Sequence, residues 1–470
     1  MANGRRICVR CWLILAVVAL VTLALTNVWN PWPGLLAWVN QSGTLSEPAP
    51  LWQQRVGALP RTVTIAGGAV IVDRGDAVEG RAIASGGVAW EKTGISWNAV
   101  AGDGNDAVVL TGELLVKGYQ VINPANGTVL RQSTDAIGVW TYRNLLLDVR
   151  CFAAKDCVLS AWEPRGAAPL WSTDLPGIQV GLSADNPKSF GTQLLTTPRV
   201  NDDAAGPQPA PVLLGLPIDN KVYVVETATG RVARVTDPGR EERVTTAGGR
   251  VIRVLAQSAD GTCYFTVSGH EAGTGREVWK QTALNLRTAE TAGCAQRDDP
   301  SGGRNVVLGV APDRREVIAD MYDGRMLWTG DPGDRVLSVD DRYAAVRSAD
   351  NRLLRGYVLG ESGVAWSRNA DEDTQAAIAR FAIVVIEKDP DRVIALAPAD
   401  GALLAQLRSG ADVLAVGPAG LVIGDGRDIG YVPYGSQLAN GGNSDQTGGQ
   451  SGTQTDCGGE KQPNCGVSGK

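Results

Sequence analysis

Glu271-Ala272-Gly273-Thr274-Gly275-Arg276-Glu277-Val278-Trp279 is one copy of a phrase in which a turn glycine is followed, three or four residues later, by tryptophan or an aliphatic residue. The other copies are Gly86-Gly87-Val88-Ala89-Trp90, Asn126-Gly127-Thr128-Val129-Leu130, Gly166-Ala167-Ala168-Pro169-Leu170-Trp171, Thr229-Gly230-Arg231-Val232-Ala233, Asp323-Gly324-Arg325-Met326-Leu327-Trp328, Gly363-Val364-Ala365-Trp366 and Asp400-Gly401-Ala402-Leu403-Leu404. Their glycines, at 87, 127, 166, 230, 275, 324, 363 and 401, lie 38 to 49 residues apart except for one gap of 64. That is the period of a four-stranded blade repeating around a β-propeller, and the long gap is a blade with an insertion.

Each unit reads as strands within that period. Asn220-Lys221-Val222-Tyr223-Val224-Val225-Glu226, a turn at Thr229-Gly230, and Arg231-Val232-Ala233-Arg234-Val235 form a hairpin pattern of β-branched residues bounded by turn formers. The tryptophans at 52, 90, 171, 279, 328 and 366 fall on outgoing strands, where a large apolar face can lie against the neighbouring blade. Leu51-Trp52-Gln53-Gln54-Arg55 looks like the last strand of a unit without its predecessors. The strands at 412–416, 421–424 and 429–432 look like a unit without its last. Pairing the two fragments closes the circle and removes its exposed edges. The expectation is an all-β propeller of four-stranded blades over 51–434, with eight blades chosen and seven or nine left open. The choice of eight treats the Gly87 or the Gly127 unit as misphased.

Outside this region the sequence changes character. Cys11 to Trp29 is an almost uninterrupted apolar run preceded by Arg5, Arg6 and Arg10. At about 1.5 Å per residue it approaches the thickness of a hydrocarbon core, and the arginines favour the cytoplasmic side. A transmembrane anchor at 11–29 then follows a cytoplasmic segment, 1–10, and leads to an interfacial stretch and spacer, 30–50, with the propeller outside the cytoplasm. A cleaved signal peptide is the competing reading. From 435 to 470 the chain is rich in Gly, Ser, Asn and Gln and carries too little apolar surface for a core. The insertion at 183–211 is polar and, in its second half, proline-rich. Loops of that length are either functional or disordered.

With a net charge of −6 and no basic stripe, the chain is not expected to bind nucleic acid. Its 35 arginines against nine lysines, with abundant Ala, Gly and Val, suit a GC-rich bacterial genome. Six of the eight cysteines fall into near neighbours, Cys151 with Cys157, Cys263 with Cys294 and Cys457 with Cys465. Proximity alone suggests these disulfides among fifteen connectivities, and oxidised pairs fit an extracytoplasmic location. A single histidine, His270, argues against a His-rich metal site. The acidic clusters 298–299, 371–373 and 389–391, and Asp103-Gly104-Asn105-Asp106, complete no calcium loop. No phosphate loop or nucleophile elbow is present.

The phrase from Ala272 to Trp279, with Thr227-Ala228-Thr229-Gly230, resembles the tryptophan-docking repeat of pyrroloquinoline-quinone-type propellers. That repeat occurs in quinoprotein dehydrogenases and in the propeller subunit of the outer-membrane β-barrel assembly machinery. The resemblance covers most of 51–434 and is sharpest in the units of Gly230, Gly275, Gly324 and Gly363. Similarity to the dehydrogenases implies an axial quinone, a calcium ion, a disulfide between adjacent cysteines and an Asp base, or a catalytic histidine in the sugar-dehydrogenase variety. No two cysteines are adjacent here, and His270 immediately precedes a repeat turn. No catalytic, cofactor-binding or metal-binding residue is therefore carried over. The apolar run and the shortage of catalytic residue types lead to the expectation of a membrane-anchored, non-enzymatic scaffold that binds envelope proteins, and the similarity to the assembly-machinery propeller implies a role in envelope assembly or protein export. An extracytoplasmic ligand- or polysaccharide-binding sensor is the alternative, with a quinone-dependent dehydrogenase behind it.

Overall fold

A computed structural model describes residues 43–153, 156–176, 195, 197–288, 293–294 and 300–438. The expected segments 1–10 and 11–29, most of the tail at 435–470 with Cys457 and Cys465, and the first part of the 183–211 insertion lie outside these residues. Among the described residues no helix is long and apolar enough to cross a membrane.

The strands fall into nine antiparallel sheets among the described residues. In chain order these blades are 62–93, 97–133, 138–175, 213–236, 242–282, 306–329, 335–369, 375–408, and a composite of 412–433 with 52–55. The blade count is thus nine, not eight. Both doubted units are complete, with four strands each over 62–93 and 97–133. The fourth and sixth blades have three strands among the described residues.

Burial follows strand position. The second strands Ala69–Asp73 and Val108–Gly112 are buried at every residue, because both of their faces meet other blades. The outermost strand Val88–Thr93 buries Trp90 alone. In the ninth blade, Trp52–Arg55 pairs antiparallel with Asp428–Pro433, Trp52 opposite Tyr431, so the first and last strands of the ring share one sheet. Residues 43–50, read from sequence as a free spacer, pack on this seam. Glu47 exchanges backbone hydrogen bonds with Arg408, and Ser409 Oγ donates to Leu45 O at 2.6 Å.

The repeat phrase has a physical cause. Trp90 lies opposite Gly80 of its own sheet, where any Cβ would overlap the indole. Its other face meets Gly127, the turn glycine of the next blade, whose φ is 70° and whose Cβ would stand 2.7 Å from the ring. The indole Nε1 donates to Pro124 O of that same turn at 2.7 Å. Only glycine satisfies both the left-handed backbone and the close approach. Trp52, Trp171, Trp279 and Trp366 dock likewise, donating to Ile83, Thr227, Met321 and Pro398 carbonyls at 2.7, 2.9, 3.1 and 3.3 Å. Trp328 occupies the same register position but meets Tyr357 edge-on at 5.6 Å.

Three blades place another residue at this position. It is Arg131 in the second, Arg234 in the fourth and Ala405 in the eighth. Arg131 stacks over Trp162 of the third blade at 4.0 Å. Arg234 donates to Ala272 O and Gly273 O of the fifth at 3.1 and 3.3 Å. Guanidinium planes thus replace indoles in the slots. The missing tryptophan is why the Gly127 unit reads weakly from sequence.

Candidate functional site

Antiparallel connectivity sorts the turns between two faces. Turns joining first to second and third to fourth strands share one face. Turns joining second to third strands, with the links between blades, share the other. On this second face the first three blades present Leu59, Leu114, Leu115, Val116 and Phe152, which are 64, 55, 74, 53 and 68% exposed. Leu114-Leu115-Val116 tips the second blade beside a shallow groove lined by Trp97, Tyr119, Ile137 and Val139. Phe152 tips the third, where Cys151 and Cys157 face each other across the strands and are disulfide-bonded. The equivalent turns of the fourth to eighth blades carry Asp219, Asp260, Asp313, Asp350 and Asp389 instead. These aspartates stand beside Lys221, Arg314, Arg315, Arg352 and Lys388, so the face has an apolar sector and a polar one of mixed charge. In the fifth blade the long hairpin Arg250–Ala259 and Thr262–His270 carries Cys263, bonded to Cys294.

The described end of the insertion packs along the inner strands of the ring. Asn201 N donates to Val413 O and Val413 N to Arg199 O, both at 2.9 Å, so the segment pairs with the free inner edge of Asp412–Val416. Val200 and Ala204 are buried with Ala377, Ala379 and Val413. At the third blade, Arg143 N donates to Gln208 O at 2.7 Å and Ala210 N to Asn144 Oδ1 at 3.0 Å. Residues 199–210 thus run from the eighth and ninth blades, past the innermost strand of the first, to the third.

One mouth of the central channel is bridged by charge. Arg380, from the eighth blade, meets Asp103 of the second at 2.6 Å and holds its carboxyl below the usual carboxylate range. Asp103 is thus half of an ion pair across that mouth. Among the described residues no three His, Cys, Asp or Glu side chains group as a metal site.

Where Arg234 replaces tryptophan, a cleft of about 420 Å³ opens between the fourth and fifth blades. Val212, Leu213, Ala272 and the charged Glu226, Arg250 and Glu271 line it. Hydrogen bonds from Arg231 and Thr229 to Glu226, and from Thr274 and Arg276 to Glu271, hold both carboxyls below their usual range. His270 lies close by. Gly275 O can only accept, so Nδ1 carries the proton of that 3.1 Å bond, and in the neutral ring Nε2 accepts from Ser268 Oγ at 2.9 Å. Ser268 is buried, and the pair ties the third strand to its turn.

Of the residues singled out in the sequence, the structure pairs four cysteines and places five tryptophans in glycine slots and the sixth on Tyr357. The exposed apolar tips and the two substituted arginines were missed. The run Leu114-Leu115-Val116, too short for a strand and flanked by Glu113 and Lys117, was the available signal.

No protein-family model matches the sequence, and no characterised protein matches it. Among solved structures, the chain is similar to BamB from Moraxella catarrhalis at 15% identity and a TM-score of 0.34, covering 76% of this chain and 98% of that one. It is similar to Sqt1 from Saccharomyces cerevisiae at 10% identity and 0.34, covering 81% and 97%. It is similar to a quinohemoprotein alcohol dehydrogenase from Pseudomonas putida at 11% identity and 0.37, covering 85% and 78%. At these values the likeness to quinoprotein-type propellers, BamB among them, is one of fold alone.

Proposed function

We propose that this protein is a membrane-anchored, extracytoplasmic propeller scaffold that binds proteins of the bacterial cell envelope during assembly or export, and that it is not an enzyme. The observation that carries the reading is the apolar sector formed by Leu59, Leu114, Leu115, Val116 and Phe152. Large apolar side chains at turn tips gain nothing for the fold and lose water when a partner covers them. Here they are held on closed blades, and the Phe152 hairpin is locked by its disulfide, so little ordering entropy opposes docking. The two disulfides support an oxidising compartment.

The test is proximity labelling of full-length protein in its native host, with wild type beside the double variant L115D/F152D. A defined set of envelope proteins labelled by wild type and lost in the folded variant supports the reading. An unchanged set removes the apolar sector from it. The ligand-sensor reading is favoured by one observation, the 420 Å³ cleft beside Arg250, which is within the size of small-molecule sites. A glycan or metabolite whose binding is lost in R250A would move the assignment there.

A further inference from the structure

Closing the ring leaves the innermost strands with free edges around the axis, and leaves one composite sheet as its mechanical seam. The insertion meets both needs at a single place. Arg199 Nη2 donates to Ser409 O and Ala411 O at 3.2 and 2.7 Å, Nη1 reaches Asp391 Oδ1 at 3.1 Å, and Nε lies 3.6 Å from Asp412. One guanidinium thus spans the link between the eighth and ninth blades. Ser409, at the centre of that link, also holds the N-terminal segment through Leu45 O. Val200 and Ala204 fill the space between the inner strands of the eighth and ninth blades.

Three stretches far apart in sequence, 45–47, 199–204 and 408–413, therefore converge where the ring closes. We propose that residues 197–206 are an intramolecular strap that locks the propeller seam, with Arg199 as its lock, so that ring closure by Trp52–Arg55 depends on a segment inserted between the third and fourth blades. The strap completes the inner edge of the ninth blade as an added strand would, and it fixes the link on which the N-terminal segment is mounted. This inference does not depend on the identity of any partner.

The experiment is hydrogen exchange of the full-length chain read by mass spectrometry, comparing wild type, R199A and R199K. With R199A, exchange is expected to rise at least ten-fold at Asn201 and Val413 and also across Trp52–Arg55, while the hairpin of the fifth blade, 250–270, keeps its wild-type rate. R199K, which retains the charge but not the fork, is expected to lie between, and it carries the test if R199A does not fold. Faster exchange confined to Asn201, with Trp52–Arg55 unchanged, would overturn the proposal, because the strap would then be a passenger. A uniform rise over all blades would overturn it equally.

Discussion

Removing Trp90 and filling its slot are predicted to be strongly non-additive. Trp90 is 8% exposed and donates to Pro124 O. W90A loses its buried area and leaves a cavity and an unpaired carbonyl, a cost of about 4 kcal/mol. G80A places a methyl inside the volume of the indole, which the two flanking blades prevent from withdrawing. Overpacking of this kind costs about 2 to 3 kcal/mol. In the W90A background the same methyl occupies empty space, so its cost should fall to near zero. The coupling is then about 2 kcal/mol, or roughly a thirty-fold difference in local opening at 1.4 kcal/mol per decade. Native-state hydrogen exchange of 77–93 and 119–133 in the wild type, both single variants and the double variant measures it without assuming two-state unfolding of the whole ring. If G80A costs as much without the tryptophan as with it, the slot account of the repeat is wrong.

Reducing agent should lower the melting temperature. Loop lengths of six and 31 residues predict about 2 kcal/mol for Cys151–Cys157 and about 4 for Cys263–Cys294, so C263S/C294S should be the more damaging pair substitution. Asp148 is buried, and desolvation pushes its carboxyl above the usual range while Tyr119 OH donates to it at 2.9 Å. A folded-state value above the unfolded one means that Asp148 loses stability as pH rises through that interval. D148N, which keeps an acceptor for Tyr119, should therefore melt higher than wild type at pH 7, and the gain should vanish below about pH 4. Truncation after Leu438 keeps Gly435 N on Leu404 O and Ser436 O on Gln406 N, and should leave the melting temperature unchanged. Truncation after Pro433 removes both bonds and should lower it.

The fold was legible because its repeat is enforced by contact. A turn glycine whose Cβ would enter an indole marks five of the slots, at Gly86, Gly127, Gly230, Gly324 and Gly401. Eight glycine units and the composite one already summed to nine, and the count was lowered to eight because propellers usually have four to eight blades, with the Gly87 or the Gly127 unit taken as misphased. At Arg131 an arginine fills the slot by stacking, and an arginine four residues after a glycine looks like any surface residue. The seam could be read from Trp52 and from 412–432 because each fragment lacks what the other has. The path of 199–210 could not, since a polar, proline-rich segment gives no sign that two of its backbone groups will pair with Val413 some two hundred residues away. Cys151 and Cys157 were legible as a cross-strand pair bracketing a tight turn, which the register bears out, whereas Cys263 with Cys294 was legible only as proximity. The apolar sector is hardest to see in sequence, because it is made of turn tips from separate blades and exists only once the ring has closed.

The central claim is that the apolar sector is where another protein sits. A photo-crosslinking amino acid placed at position 115 of the full-length chain in its native host tests this most directly, with the same group at position 350, on the polar sector of the same face, as the comparison. The account predicts discrete adducts from position 115, formed with the same few envelope proteins on repetition and abolished by F152D, and none from position 350. Equal adducts from both positions, or adducts from 115 to lipid or glycan alone, would contradict it.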